Sequence, residues 1–156
     1  EWDYGCLSYK NIHRVKYTGI ELQGSFNLSN DWKTEWGFNW IDNIDLSTNE
    51  SLPNTQTFSS RLNLMHKLNK IPFRYIFHIK WIGPYYPMEY VPSDNIYQTS
   101  NSKRKSQYFV NYTSIWDAQP SFSIETGIKN IINQVDTTYG PFIGRTYYMK
   151  FNYIIK

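Results

Sequence analysis

The sequence has few of the features that mark the common functional classes. It contains one cysteine, Cys6, so no internal disulfide can form, and no Cys/His spacing indicates a zinc site. No stretch approaches the roughly 18 apolar residues that a membrane-spanning helix needs. The net charge of +3 is too small to indicate nucleic acid by itself. We therefore expect no metal, no cofactor and no nucleic-acid partner.

The start of the chain also lacks an initiator methionine and a signal peptide. Glu1 is the first residue, and no positively charged stretch with an apolar core follows it. We expect either that a signal peptide has been removed or that the chain is a piece of something longer. With 156 residues, one domain spanning 1–156 is the first expectation, with 1–11 as a loop or the end of a preceding strand.

Aromatic residues, by contrast, are abundant and regularly spaced. They make up 19% of the chain and include 14 tyrosines. In several stretches they recur at every second position, which is the period at which side chains alternate between the faces of a β-strand. This pattern predicts an all-β protein with no helix and seven strands, at 15–28, 32–41, 58–68, 73–82, 108–116, 121–129 and 144–156. A bulge at Gly19 would explain a change of phase in the first strand.

Three features of these strands favour an antiparallel membrane β-barrel. The strands have about ten residues, the length that crosses a bilayer at a tilt of roughly 45°. The connections alternate between short and longer, which places the longer ones at one rim. Tryptophan and tyrosine lie near strand ends on the apolar faces, as in the aromatic girdles of membrane barrels. Ionised groups lie almost entirely on the opposite faces: Glu21, Lys33, Glu35, Arg61, Lys67, Arg74, Lys80, Glu125, Lys129 and Lys150.

A soluble β-sheet or small β-barrel that binds a partner is the alternative. Its apolar faces would pack inward and its polar faces would meet water, which gives a similar alternation. Such a module would fold as a closed unit from these residues alone and would dissolve without detergent.

Several short motifs resemble the barrel of a TonB-dependent outer-membrane receptor. Their order and spacing across most of the chain match the last third of that barrel. The motifs are Gly19–Gly24, Leu52-Pro53, Thr126–Asn133 followed by Asp136 and Tyr139, and Gly144–Tyr148 at the start of the last strand. The resemblance implies a 22-stranded barrel of which this chain supplies the last seven strands, with the plug domain outside the chain. Because open strand edges in lipid leave backbone groups unsatisfied, we expect the rest of the barrel to come from the same protein or another chain.

The resemblance also implies a function. Such receptors are active transporters of the outer membrane that bind and import a large, scarce solute: a siderophore, haem, cobalamin, a glycan or a peptide. The TonB–ExbB–ExbD complex supplies the energy. The implied partners are this complex, the plug, the solute, and the lipopolysaccharide and lipid of the outer membrane.

The candidate site residues fall into three groups. Aromatic side chains in and beside the longest connection, 83–105, are candidates for solute contact, because rigid rings offer a large contact area at little entropic cost. They are Trp81, Tyr85, Tyr86, Tyr90 and Tyr97. Lys103, Arg104 and Lys105 are candidates for lipopolysaccharide phosphates. Arg61, Arg74, Lys80 and Glu125 are predicted to face the lumen and to form ion pairs with the plug or with one another.

An enzyme is not expected. His66 and His78 fall on opposite faces of neighbouring strands and cannot share a site, and His13 has no visible partner. No nucleophile and base are brought together by the predicted strands.

Overall fold

A computed structural model describes residues 14–94, 96–138 and 140–154, with the side chains of 96 and 97 left aside. This part of the chain contains ten β-strands. They are β1 (Val15–Asn27), β2 (Trp32–Asp45), β3 (Glu50–Ser51), β4 (Phe58–Lys67), β5 (Phe73–Ile82), β6 (Met88–Val91), β7 (Ile96–Thr99), β8 (Gln107–Gln119), β9 (Phe122–Lys129) and β10 (Thr146–Tyr153). The expected all-β class is confirmed. The expectation for residues 1–11 lies outside the described residues.

The seven long strands form one antiparallel sheet in the order β1-β2-β4-β5-β8-β9-β10. Each strand pairs with its neighbours in sequence, so the chain runs up and down across the sheet. The short β3 pairs with the end of β2, and β6 and β7 form a separate hairpin inside the connection from β5 to β8. Within the described residues, β1 and β10 are the two edges and do not pair with each other.

The register places the predicted apolar faces together across the sheet. Leu62 of β4, for example, lies between Trp36 of β2 and Ile79 of β5. On the first pair of strands Ile20 lies opposite Trp40, and on the last pair Phe151 lies opposite Ile124. Since a slip of one residue would move a whole strand's apolar set to the other face, this agreement confirms the predicted pattern.

The sheet is a single layer, and its apolar face is not covered by the described chain. No hydrophobic residue in that part of the chain is buried. Leu22 remains 52% exposed and Phe151 63% exposed, although both belong to the apolar face. A soluble sheet of this size would bury that face against a second layer. No helix in the described residues is both long and apolar enough to pass through a bilayer.

Aromatic rings form a continuous row on the apolar face near the short turns. Trp32 stacks on His66 with ring centroids 4.3 Å apart, and His66 lies 6.3 Å from Tyr75. Phe73 continues the row, 5.9 Å from Tyr75 and 6.2 Å from Trp116. The row crosses four strands at one level, as an interfacial girdle requires.

Tyr148 braces the last three strands on the polar face. Its hydroxyl donates to Glu125 Oε1 at 3.1 Å and accepts from Thr113 Oγ1 at 2.9 Å, so it links β10 to β9 and β8. Its ring lies over Gly127, where an added Cβ would sit 2.5 Å from the ring carbons. A glycine at position 127 is therefore required for the Tyr148 ring to lie against the sheet.

The predicted bulge at Gly19 is wrong. The register of β1 and β2 is constant from Val15 to Asn27, so there is no bulge at Gly19. A Cβ at Gly19 would lie 2.6 Å from the Trp40 carbonyl oxygen, so the glycine permits close backbone approach instead. The register shift lies between Trp116 and Gln119.

The predicted turn at 117–120 is also displaced. β8 continues through Gln119, and the chain reverses at Pro120 and Ser121. Asp117 is held in extended conformation because its N–H donates to the Pro72 carbonyl at 2.9 Å and its carboxylate binds Arg74. The predicted last strand, 144–156, is shorter in the structure, where β10 ends at Tyr153 and residues 155 and 156 lie outside the described part.

A pair of arginine substitutions tests which face meets lipid. Leu22→Arg places a charge on the apolar face in the middle of β1, and Ser25→Arg places it on the polar face of the same strand. We expect Leu22→Arg to lower the free energy of unfolding by about 2–4 kcal/mol, because a cation at the bilayer midplane is poorly solvated. Urea unfolding of the whole protein in lipid vesicles measures both. Equal effects of the two variants would contradict the assignment of faces.

Candidate functional site

The three longer connections lie at one rim of the sheet, and the middle one contacts the other two. They are 46–57 between β2 and β4, 83–106 between β5 and β8, and 130–145 between β9 and β10. The short turns at 28–31, 68–72 and 120–121 lie at the opposite rim. This arrangement follows from the up-and-down order of the strands and confirms the predicted alternation. The cluster of longer connections is the candidate site, and we call it the loop rim.

Hydrogen bonds of Asn54 link the longest connection to the first one. Its N–H donates to the Tyr86 carbonyl at 2.8 Å, and its Oδ1 accepts the Met88 N–H at 3.1 Å. Asn54 adopts a φ of 59°, in the left-handed region that asparagine tolerates better than most residues. These two hydrogen bonds hold the start of the β6–β7 hairpin against the first connection.

Arg104 fastens the longest connection to the last one. Its Nε lies 3.3 Å from Asp136 Oδ2, and its side chain is only 7% exposed. The guanidinium also donates to the Tyr85 hydroxyl and lies over the Tyr85 ring, 5.4 Å from the centroid. Nearby, Gln107 Nε2 donates to the Gly140 carbonyl at 2.8 Å. The rim is thus held by polar contacts rather than by an apolar core.

Asn130 organises the last connection. It has a φ of 53°, and only 6% of its surface is exposed. Its side-chain oxygen accepts the Gln134 N–H at 3.0 Å, and its Nδ2 donates to the Gln134 carbonyl at 2.8 Å. Its own N–H donates to Asn111 Oδ1 on β8 at 2.8 Å. One residue therefore shapes the start of the loop and ties it to the sheet.

The aromatic candidates for solute contact occupy different environments. Tyr86 and Tyr90 are exposed at the loop rim, with 42% and 49% of their surfaces accessible. Tyr85 is half-buried against Arg104. Trp81 lies at the base of the longest connection, but on the apolar face of the sheet, opposite Ser60 and Tyr108.

Tyr97 is the fifth aromatic candidate. Its backbone pairs with Tyr90 in the hairpin, but its side chain lies outside the described residues. Among the described side chains, Tyr86 and Tyr90 are thus the two aromatic candidates that are exposed.

The three basic candidates also occupy different environments. Lys103 and Lys105 are exposed, and the Lys103 ammonium lies 5.3 Å from the centroid of the Tyr86 ring. Arg104 is turned inward to Asp136. The two lysines therefore remain the candidates for an anionic surface, while Arg104 holds the loops together.

The four lumen candidates lie on the polar face, and three of them have polar partners in the sheet. Arg74 binds Asp117 through two nitrogens, with Nε to Oδ2 at 3.1 Å and Nη2 to Oδ1 at 3.2 Å. Glu125 accepts from Tyr148 and lies 3.9 Å from Lys150 Nζ. Arg61 donates to Gln23 Oε1 at 3.2 Å.

No catalytic or metal-binding constellation is evident in the described part of the chain. His66 stacks on Trp32 on the apolar face, while His78 Nδ1 lies 2.9 Å from Asn63 Oδ1 on the polar face. No group of three or more His, Cys, Asp or Glu residues among those described could hold a metal ion.

No family model matches the chain, and no curated protein matches its sequence. Solved structures do match it. The ferripyoverdine receptor of the outer membrane of Pseudomonas aeruginosa matches 88% of this chain and 18% of its own, with 15% identity and a TM-score of 0.64. The copper transporter OprC matches 89% and 24%, with 15% identity and a TM-score of 0.70.

The ferric yersiniabactin uptake receptor FyuA from Yersinia pestis matches 88% of this chain and 22% of its own, with 17% identity and a TM-score of 0.59. These neighbours are TonB-dependent outer-membrane receptors. The chain has the fold of a TonB-dependent receptor barrel. It spans about a fifth of the length of the receptors it matches.

Sequence reasoning missed the residues that hold the loop rim of this receptor-barrel fold together. Asn130 and Asp136 belong to the receptor-like motifs, but the sequence did not predict their roles. Asn130 carries a local signal, because asparagine directly after a strand is a common left-handed residue. Asp136 carries none, since its partner Arg104 is far away in sequence.

Substitution of Asn130 separates backbone strain from hydrogen bonding in the last connection. Asn130→Gly keeps the left-handed backbone accessible and removes the side-chain bonds, while Asn130→Ala also adds a strain of about 1–2 kcal/mol. We expect proteolysis within 130–145 to be faster in both variants, and at least several-fold faster in Asn130→Ala than in Asn130→Gly. Limited proteolysis of native membranes measures this. Equal rates in the two variants would show that the φ of 53° imposes no strain.

Proposed function

We propose that this chain is the C-terminal part of the barrel wall of an outer-membrane receptor. The receptor binds a large, scarce solute and imports it with energy delivered through TonB. One observation carries the proposal: a single-layer sheet with the receptor-barrel fold has an apolar face that the described residues leave uncovered, and its longer connections lie at one rim. A bilayer is the surrounding that such a face requires.

The orientation follows from barrels of this class. The loop rim faces the outside of the cell, the short turns face the periplasm, and the polar face lines the interior. In this orientation the aromatic row from Trp32 to Trp116 lies at the periplasmic interface. The plug and the remaining strands come from the rest of the same protein or from another chain.

The loop rim then presents Tyr86 and Tyr90 to the solute. Exposed tyrosines suit a planar or sugar-like ligand, because their rings stack while their hydroxyls bind polar groups. The neighbours with this fold are receptors for ferripyoverdine and ferric yersiniabactin and a copper transporter. We include siderophores, haem, cobalamin, glycans and peptides in the solute class.

Lys103 and Lys105 support a second contact at the same rim. Both are exposed, and cations just outside an apolar belt pair well with anionic head groups. We assign them to lipopolysaccharide phosphates. The TonB–ExbB–ExbD complex is the proposed energy source on the opposite side of the membrane.

Cell fractionation and solute uptake test the proposal. The protein should sediment with the outer membrane and should require detergent for extraction. Deletion of its gene should abolish accumulation of one member of a panel of iron-loaded siderophores, haem, radiolabelled cobalamin and labelled oligosaccharides. A protonophore should block accumulation in the wild type and leave surface binding intact. Recovery in the soluble fraction, or accumulation that a protonophore does not affect, would contradict the proposal.

Two tyrosine variants test the assignment of the loop rim. Tyr90→Ala should weaken surface binding of the identified solute about tenfold, because truncating an aromatic contact that the solute buries costs about 1–2 kcal/mol. Tyr108→Ala is the matched control, since Tyr108 is equally exposed but lies on the apolar face of β8. Binding to whole cells treated with a protonophore measures affinity without transport. A loss of affinity in Tyr108→Ala and not in Tyr90→Ala would overturn the assignment.

A further inference from the structure

Two cations face each other on the polar side of the sheet with no carboxylate of the described residues in direct contact with them. Arg61 of β4 and Lys80 of β5 are direct cross-strand partners. Like charges in this relation repel each other. No Asp or Glu of the described residues lies within 4.0 Å of either one. The only hydrogen-bond partner of Arg61 in that part of the chain is the neutral Gln23.

Gly37 determines where the guanidinium of Arg61 lies. An added Cβ at Gly37 would come within 2.9 Å of Arg61 Nε and 3.2 Å of Arg61 Cγ. The Arg61 side chain therefore lies flat across β2 and reaches Gln23 on β1. A guanidinium has five N–H donors, and this contact uses one of them. The remaining donors have no hydrogen-bond partner among the described residues.

The space beside these cations is a shallow groove of about 410 Å³. Gly37, Asn39, Ser59, Arg61 and Lys80 line it, with Glu21 on β1 as the one carboxylate. Glu21 is paired in the register with Asn39, one row away from Arg61, and makes no ion pair with it.

The other carboxylate near the groove, Glu35, is engaged mainly by Lys33 and Asn63, and the charge of Arg61 acts on it only weakly. Glu35 accepts from Lys33 Nζ at 2.7 Å and from Asn63 Nδ2 at 3.4 Å. The groove therefore keeps an excess of positive charge on the side of Arg61 and Lys80.

A second pair of cations on the same two strands is neutralised by a carboxylate within the sheet. Lys67 and Arg74 are also direct cross-strand partners. There the arginine is bound by both carboxylate oxygens of Asp117, at 3.1 and 3.2 Å. The sheet thus supplies a carboxylate in direct contact for one pair and none within 4.0 Å for the other, although both lie between β4 and β5.

We propose that Arg61 and Lys80 form a binding site for a carboxylate that comes from outside this sheet. Arginine offers a planar fork that matches the two oxygens of a carboxylate, and lysine adds a compact second charge. Glu21 across the groove disfavours a more highly charged group such as a phosphate dianion. Two sources supply the same chemistry: a segment of the protein that covers the polar face, or a solute. The location of the site inside a barrel rests on the proposed function.

Carbodiimide cross-linking tests the site in native outer membranes. The reagent activates a carboxylate, the Lys80 amine attacks its carbonyl carbon, and an amide forms while the reagent leaves as its urea with one carboxyl oxygen. Peptide mass spectrometry then identifies what is joined to Lys80. A peptide of the same protein from outside 14–154 shows a covering segment, and an adduct mass that matches no peptide shows a solute.

Variants and a matched lysine make the result decisive. Arg61→Gln should lower the yield at Lys80 about tenfold, because a charge-assisted bond to the carboxylate is lost. Gly37→Ala should also lower it, since the new Cβ displaces Arg61 without changing any charge. Lys67 should gain no cross-link to a carboxylate outside the sheet, because Asp117 already neutralises its pair. Antibody staining of outer-membrane fractions confirms that the variants assemble.

Two outcomes would overturn the proposal. One is a wild-type Lys80 that remains unmodified under conditions in which other lysines react. The other is a Lys80 joined only to Glu21 or Glu35, which would mean that the sheet neutralises its own charge. Because the wild-type result requires neither transport nor a known solute, failure of this test leaves the transport experiment to be judged separately.

Discussion

The cross-strand register is the constraint on which the rest of this structure depends. Seven strands pair with their neighbours in order, and the pairing brings the predicted apolar faces of the strands together on one side of the sheet. A slip of one residue at any ladder would carry charges such as Arg61 to the apolar face. The described residues build no second layer over that face, so the separation of the two faces replaces a conventional core in this part of the chain.

The loop rim is held by a different kind of interaction. Here side-chain amides, one guanidinium and backbone groups satisfy one another across three connections, as with Asn54, Asn130 and the Arg104–Asp136 pair. A hydrogen bond or ion pair fixes position with little apolar area, which suits loops that meet water. Tyr86 and Tyr90 can therefore stay exposed on a positioned framework.

Periodicity was enough to predict the seven long strands and their faces, because an alternation sustained over about ten residues is typical of a strand with one apolar face. The β6–β7 hairpin was missed, since four-residue strands in a segment rich in proline and serine carry no clear period. The bulge predicted at Gly19 was wrong because a glycine also permits close backbone approach. The Arg104–Asp136 contact joins distant segments, and no local pattern encodes such a pair.

The hydroxyl of Tyr148 fixes the register of the last strand through contacts with two other strands. It forms hydrogen bonds with Glu125 on β9 and Thr113 on β8, so one side chain links β10 to two strands. A register shift of two residues between β10 and β9 would keep the apolar side chains of β10 on the apolar face. The Tyr148 hydroxyl would then lose both partners, and the ring would no longer lie over Gly127. Alternation alone tolerates a shift of two residues. Tyr148 therefore distinguishes between registers that differ by two residues and that expose the same apolar face.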